Sequence, residues 1–230
     1  MQMPASEGSE PLLRSYGKYH LATLKAEGAP LAEMSRDFEG VQSGLQRAFD
    51  LRVGLESAQA ECEAIRVVSE TSLEQTLGKL ELQLLGTVNR RRSDEPYKTA
   101  FPSGVTGAVS PRGRAQSAEA LRIANYIAPL AGESPAGIPG ESLPLVATLR
   151  AQVSTFDAAL ASEQATDDAY AAAFLAEFAA RRAWREQYRK DFGLLTARFG
   201  TDKKKIESFF KKASKPGKGS GGGAGPAAGG

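Results

Sequence analysis

The chain has 230 residues, of which 41% are apolar and 7% aromatic, with a formal net charge of +2. That length and apolar content are enough for one large domain or two small ones with a real core. The single cysteine, Cys62, excludes an intrachain disulfide. The single histidine, His20, cannot supply the repeated Glu-x-x-His ligands of a di-iron bundle and leaves almost no basis for a zinc site or catalytic triad. We expect Cys62 to be a small core residue and His20 to be structural or exposed.

Many good helix formers and few runs of β-branched residues predict an all-α protein. We expect an elongated antiparallel helical bundle with four long helices arranged as two hairpins, short added helices and a disordered C-terminal tail. Residues 1–9 should be disordered and 10–199 should form the bundle domain. The first helix is expected to start after Ser9 and to stop at Gly28 and Pro30.

The second helix is expected from about residue 30 to 55 and the third from there to about Arg91. In the second helix, apolar residues recur at steps of three and four, which favours packing on another long helix at a shallow angle. Ser57 is a candidate break, but no proline enforces it, so one continuous helix is the alternative. The inward stripe of the third helix contains Cys62, Ile65, Ser69, Leu73, Leu77, Leu80, Leu84 and Val88, widened by Leu82 and Leu85.

Prolines and glycines make a long helix implausible at about residues 93–114. This crossover loop is longer than ordinary bundle connections, and its apolar residues suit packing against the bundle. Two interpretations remain open: a structural crossover and a binding loop. A shorter helix at 117–131, a connector at 132–142 and a fifth helix ending near Glu163 follow.

The longest periodic segment, 165–199, is the richest in aromatic residues. Large side chains spaced mostly three or four residues apart predict one buried helical face. These residues are Tyr170, Phe174, Phe178, Trp184, Tyr188, Phe192, Leu195 and Phe199. Glu177 and Arg181 interrupt that face, and their spacing allows an ion pair. They are interpreted as a rim pair, a buried pair that fixes register, or the lining of a pocket.

A shift of 115 residues brings the apolar positions of the two expected hairpins into phase, with Phe38 on Val153 and Leu80 on Leu195. Identities are nearly absent, and any two amphipathic helix pairs can be aligned in this way. An internal duplication is therefore a hypothesis beside chance agreement.

Charge is concentrated at the C-terminus, because residues 200–230 carry a net charge of +5 and residues 1–199 one of −3. Residues 200–214 form a basic amphipathic segment in which Ile206, Phe209 and Phe210 share a face, followed by a low-complexity tail at 215–230 that we expect to be disordered. We expect these apolar residues to dock on the bundle, with binding to an anionic surface as the alternative. The candidate anion-binding residues are Lys203, Lys204, Lys205, Lys211, Lys212, Arg90, Arg91 and Arg92.

These patterns favour a non-catalytic, cytoplasmic scaffold or assembly protein that acts through protein–protein contacts, with a protein partner or self-association. Nucleic acid or anionic lipid, bound through the C-terminal segment, is the alternative partner. No apolar run is long enough for a transmembrane segment, no signal peptide is evident, and no residue pattern predicts a cofactor, metal or catalytic site.

Overall fold

The computed structural model describes residues 10–131, Ile138 and 142–211, and all regular structure in these ranges is helical. The protein is therefore all-α, as the composition predicts. Seven α-helices occur in this part of the chain, and a short 3₁₀ turn, Ala29–Leu31, precedes the second. They are α1 (Glu10–Ala26), α2 (Ala32–Thr87), α3 (Tyr97–Ala100), α4 (Gly104–Val109), α5 (Arg114–Leu130), α6 (Ser142–Phe199) and α7 (Lys203–Ser208).

Two very long helices, α2 with 56 residues and α6 with 58, replace the four long helices expected from the sequence. Each passes without interruption through the point where a break was expected, near Ser57 in α2 and near residue 164 in α6. Neither point carries a proline, and helix formers continue on both sides, so nothing interrupts the backbone hydrogen bonds. The continuous alternative for α2 is correct.

The chain divides into two compact units, and α2 and α6 each contribute one segment to both. Unit 1 comprises Met1–Asp50 and Phe174–Gly230. Its core joins α1, the first part of α2, the last part of α6, and α7. The fully buried members of this core include Leu13, Leu24, Phe38, Leu45, Trp184, Tyr188, Leu195 and Phe209.

Unit 2 comprises Leu51–Ala173. Its core contains Leu73, Leu77 and Leu80 from α2, Ile123 and Ile127 from α5, and Leu149 and Phe156 from α6. The expected crossover loop at 93–114 contains α3 and α4 and places Tyr97, Phe101 and Ala108 in this core. The buried carboxylate of Glu81 accepts hydrogen bonds from Tyr97 Oη at 2.7 Å and from the Val105 backbone N–H at 3.3 Å. The loop is thus part of the packed interior of unit 2.

The predicted aromatic stripe on α6 is wrong at its N-terminal end, because Phe174 and Phe178 are exposed. The buried positions in this stretch are Ala173, Glu177, Trp184, Tyr188, Asp191 and Leu195. At about 100° per residue these positions lie on one face of the helix, whereas Phe178 lies about 120° and Phe174 about 80° around the helix from Trp184.

Two residues assigned to the inward stripe of α2 are also exposed, Ile65 and Leu82. Cys62 is half-buried, and its sulfur lies 3.4 Å from Thr166 Oγ1.

Candidate functional site

The basic segment after α6 packs into the core of unit 1. Ile206, Phe209 and Phe210 are all buried there, against the aromatic residues of α1 and α6. Phe210 lies 5.0 Å from Tyr188 and 5.5 Å from Phe192 between ring centroids. The prediction that these apolar residues dock on the helices is confirmed. They are not available to insert into a membrane in this conformation.

His20 anchors the docked segment through a buried hydrogen bond. Its imidazole is fully buried, and Nδ1 donates to the backbone carbonyl oxygen of Phe209 at 2.9 Å. The other nitrogen, Nε2, lies 3.0 Å from Oδ2 of the fully buried Asp191. Because a carbonyl oxygen only accepts, Nδ1 is the donor in its hydrogen bond. His20 is therefore structural, one of its two predicted roles.

Three aromatic side chains pack around the imidazole of His20. Phe210 stacks on the imidazole at 4.8 Å, and Phe38 and Tyr188 meet its edges at 4.6 and 5.0 Å. Burial raises the pKa of Tyr188 well above its usual range. Both polar side chains are fully buried, and their hydrogen bonds tie α1, α6 and the end of α7 together.

The candidate anion-binding lysines divide into two groups. Lys203 and Lys204 are exposed on α7. Lys205 pairs with Glu27 and lies 5.7 Å from the centroid of the Phe209 ring. Lys211 donates to Ser15 and lies 5.8 Å from the centroid of the Tyr16 ring. Lys212 lies outside the described residues. Two of the lysines thus help to dock the segment.

Arg90, Arg91 and Arg92 belong to unit 2 and are exposed. They follow the C-terminus of α2, where Asn89 and Arg90 adopt positive φ angles of 52° and 65°. The Arg90 N–H donates to the carbonyl oxygen of Leu85 at 2.7 Å, as in a left-handed helix cap. Cations at this end of a helix are favoured by the macrodipole. The position is thus explained without an anionic ligand.

Glu177 and Arg181 form the ion pair that their spacing predicts, and it lies in unit 1. The Glu177 side chain is only 4% exposed, whereas that of Arg181 is 29% exposed. The pair therefore lies at the edge of the core, with its acid inside and its base reaching solvent. This geometry combines the rim and the register interpretations.

Apolar side chains on the outer face of α6 form the largest departure from the predicted stripe. Phe174, Leu175 and Phe178 are 55%, 66% and 66% exposed. We call these three residues the α6 patch. This stretch of α6 contains no proline or glycine. Ala171, Ala172, Ala176 and Ala179 are exposed near the three side chains of the patch. Adjacent exposed apolar side chains of this size are typical of contact surfaces.

Arginines follow the α6 patch along the same helix. Phe178 and Arg182 line a shallow surface groove together with Arg185, Glu186 and Arg189. Burial, and then the nearby charges of Arg181 and Arg189, lower the pKa of Arg185. Arg182 pairs with Glu186 at 2.9 Å, but both side chains are largely exposed, so this pair contributes little. The outer face of α6 therefore changes from apolar to basic toward its C-terminus.

No protein-family model matches the sequence, and no curated protein or solved structure shows significant similarity to it. Within the described ranges, no three histidine, cysteine, aspartate or glutamate side chains lie close enough together to hold a metal ion. In the same part of the chain, no helix has the length and apolar character needed to cross a membrane.

The docking role of His20 and the α6 patch were missed by the sequence reasoning. The partners of His20 lie 171 and 189 residues away in the sequence, so no local sequence pattern predicts them. A signal for the patch was present: Glu177 and Trp184 are seven residues apart, and a heptad through them places Phe174 and Phe178 outside the core.

Proposed function

We propose that this protein is a non-catalytic helical scaffold that acts through protein–protein contacts made by its long helices. The observation that supports this function is the α6 patch, where two phenylalanines and a leucine are more than half exposed on consecutive turns of one helix. Because these side chains are 55–66% exposed, a partner that buries them would gain roughly 1–2 kcal/mol of transfer free energy from each.

The polar groups of unit 1 support the same function. The buried histidine and aspartate are occupied in holding α7, and the buried carboxylate of Glu177 pairs with Arg181. These groups stabilise the packing of unit 1. We therefore place its function on the exposed surface.

Co-purification from the native cell tests this proposal. The comparison is between the full chain and Phe178→Asp, with Leu82→Asp as the matched control, because Leu82 is 68% exposed on a different helix. We expect a defined partner to be lost with Phe178→Asp and retained with Leu82→Asp. Recovery of the same proteins with all three chains would refute a scaffold function of the α6 patch.

A second candidate function, binding to nucleic acid or an anionic membrane surface, rests on the exposure of Lys203 and Lys204. With the phenylalanines of this segment buried, such binding would depend on charge alone and would weaken steeply with salt. Lys203→Glu with Lys204→Glu should abolish binding to DNA or to anionic vesicles at low salt and leave the melting temperature unchanged. Unchanged binding would exclude this function for the segment.

A further inference from the structure

The part of α6 that belongs to unit 1 carries a stripe of side chains that is apolar at its start and basic at its end. The stripe residues follow one another at steps of three and four: Leu175, Phe178, Arg182, Arg185 and Arg189. At about 100° per residue they all lie between about 100° and 180° around the helix from the buried Trp184. We call these five residues the α6 stripe. It is about 20 Å long at about 1.5 Å per residue.

The first two residues of the α6 stripe are apolar. Leu175 and Phe178 are each 66% exposed, and Ala179 beside them is exposed as well. Steps of three and four residues are the spacing at which a second helix packs at a shallow angle. This end of the stripe therefore offers two apolar contacts, one turn apart, to a helix that lies along it.

The other end of the α6 stripe is a cluster of arginines. The groove beside Phe178 has a volume of about 290 Å³, and three arginines and a single carboxylate, Glu186, line it. Arg182 pairs with Glu186, but both side chains are largely exposed, so an incoming carboxylate can replace this pair at small cost. Burial, and then the charges of Arg181 and Arg189, lower the pKa of Arg185, and a further carboxylate would offset that repulsion.

We propose that the α6 stripe binds an amphipathic helix of a partner protein, apolar at one end and acidic at the other. The apolar end of that helix covers Leu175 and Phe178, and its carboxylates pair with the three arginines. Arginine can hold a carboxylate through two parallel hydrogen bonds, which fixes the geometry of such a pair. The proposal rests on the proposed function, for which it names the chemical class of the partner.

The order of apolar and basic residues along α6 favours a helix over other anionic partners. A membrane separates its apolar and anionic layers by depth, and a nucleic acid presents phosphate along its whole length. Both would meet the arginines, but neither confines an apolar surface to one end of the stripe. A second copy of the stripe has no acidic end to face the arginines. A helix that changes from apolar to acidic along its length matches both ends.

Fluorescence anisotropy with a labelled peptide tests the proposal on the purified full chain. The acidic probe is a synthetic helical peptide with leucines at one end of one face and glutamates along the rest of that face. One control peptide has lysine in place of glutamate, and a second has the leucines and glutamates interspersed. We expect the acidic probe to bind with a Kd below roughly 1 mM, the lysine peptide not to bind, and the interspersed peptide to bind about tenfold or more weakly. Absence of saturable binding of the acidic probe would overturn the proposal.

Substitutions in the stripe locate the contact. Phe178→Asp should weaken binding of the acidic probe by about tenfold or more, because it removes an apolar contact and adds a like charge. Arg182→Glu with Arg189→Glu should weaken it by roughly two- to fivefold for each pair lost, and this double variant should bind the lysine peptide instead. Arg198→Glu is the matched control, exposed on the same helix about 180° around from Arg189, and should leave binding unchanged. An equal loss with Arg198→Glu would indicate a general charge effect and overturn the proposal.

Circular dichroism is the folding control, because the substituted side chains are exposed and the helical content should not change. Other occupants give different results. Loss of the acidic probe with Lys203→Glu and Lys204→Glu would assign its binding to the C-terminal segment. A DNA oligonucleotide or vesicles containing phosphatidylserine that bind through Arg182 and Arg189, where the acidic probe does not, would assign the stripe to that partner. Sedimentation velocity that shows a dimer lost with Phe178→Asp would assign it to a second copy. Each of these results would overturn the proposal.

Co-purification from the native cell separates this proposal from the proposed function. We expect a defined partner to be lost both with Phe178→Asp and with the double variant Arg182→Glu and Arg189→Glu. A partner that is lost with Phe178→Asp but retained with the double variant would overturn the acidic helix and leave the proposed function standing.

Discussion

Gly17 of α1 packs directly against side chains of α2 and α6, and its replacement by alanine should destabilise unit 1. Gly17 is buried, and a Cβ atom there would lie 1.7 Å from Gln42 Oε1 and 2.9 Å from Trp184 Nε1. Gln42 Oε1 accepts the indole N–H of Trp184 at 2.7 Å. The amide therefore cannot move away without leaving a buried donor unpaired.

The magnitude follows from three contributions. Alanine in a helix gains about 1 kcal/mol over glycine. Overpacking costs about 1–3 kcal/mol, and an unpaired buried N–H costs about 1–3 kcal/mol more. We expect Gly17→Ala to lower the free energy of unfolding by about 1–5 kcal/mol after the helix gain is included. Gly40→Ala is the matched control, because Gly40 is an exposed helical glycine with no atom within 4 Å of the added carbon.

Urea unfolding followed by tryptophan fluorescence measures this effect, because Trp184 is the only tryptophan and lies in the unit 1 core. Gly40→Ala should raise the midpoint, reflecting a gain of up to about 1 kcal/mol. Gly17→Ala should lower the midpoint and shift the native emission, since the indole loses its partner. A Gly17→Ala chain that is as stable as Gly40→Ala would refute the close packing of α1 against Gln42 and Trp184.

Three further predictions concern buried polar groups. Burial, and then the hydrogen bond to Glu81, raise the pKa of Tyr97 to about 12, whereas unfolded tyrosine ionises near pH ~10. Its contribution to stability is thus complete below pH ~10 and lost as the pH rises towards 12; thermal melts should show this decline, and Tyr97→Phe should flatten it. Tyr188→Phe should be neutral or stabilising at pH 7, because the buried Tyr188 hydroxyl has no hydrogen-bond partner among the described residues. Glu177→Leu with Arg181→Leu should be neutral or stabilise by about 1–4 kcal/mol in urea unfolding, and a large loss of stability would contradict the edge-of-core interpretation.

The helical class and the ends of α1 follow directly from the sequence. Gly28 and Pro30 stop α1 at Ala26, as expected, because Gly28 adopts a positive φ of 74° and Pro30 has no backbone N–H to donate. The number of long helices was predicted incorrectly, as four instead of two. Ser57 resembles a helix start, but a polar residue alone does not interrupt a helix whose neighbours are good formers.

The sequence also predicted the wrong face of α6 to be buried around Glu177. The sequence pattern places the aromatic residues in the core because they are apolar, and it makes Glu177 an interruption of that face. In the structure Glu177 is buried and the phenylalanines on either side are exposed. Residue type alone cannot give the phase of a helix whose inner face contains a paired charge, but a heptad through Trp184 and Tyr188 can. The α6 patch is the consequence of that phase.

The C-terminal segment shows why binding tests by truncation need care. Deleting every residue after Gly200 removes Ile206, Phe209 and Phe210, and it takes the carbonyl acceptor of His20 with them. Three buried apolar side chains at about 1.5–3 kcal/mol each approach the whole stability of a typical domain. We expect the shortened chain to lose the native Trp184 emission, while a chain ending at Lys211 keeps it.

An unchanged urea midpoint after deletion at Gly200 would contradict the docking of α7. If the midpoint falls as expected, loss of DNA or vesicle binding by that chain would report unfolding of unit 1 as much as loss of lysines. The exposed pair Lys203 and Lys204 can be reversed in charge without touching the buried phenylalanines. Substitution at these two positions therefore separates the charge of the segment from its role in the core, which deletion cannot do.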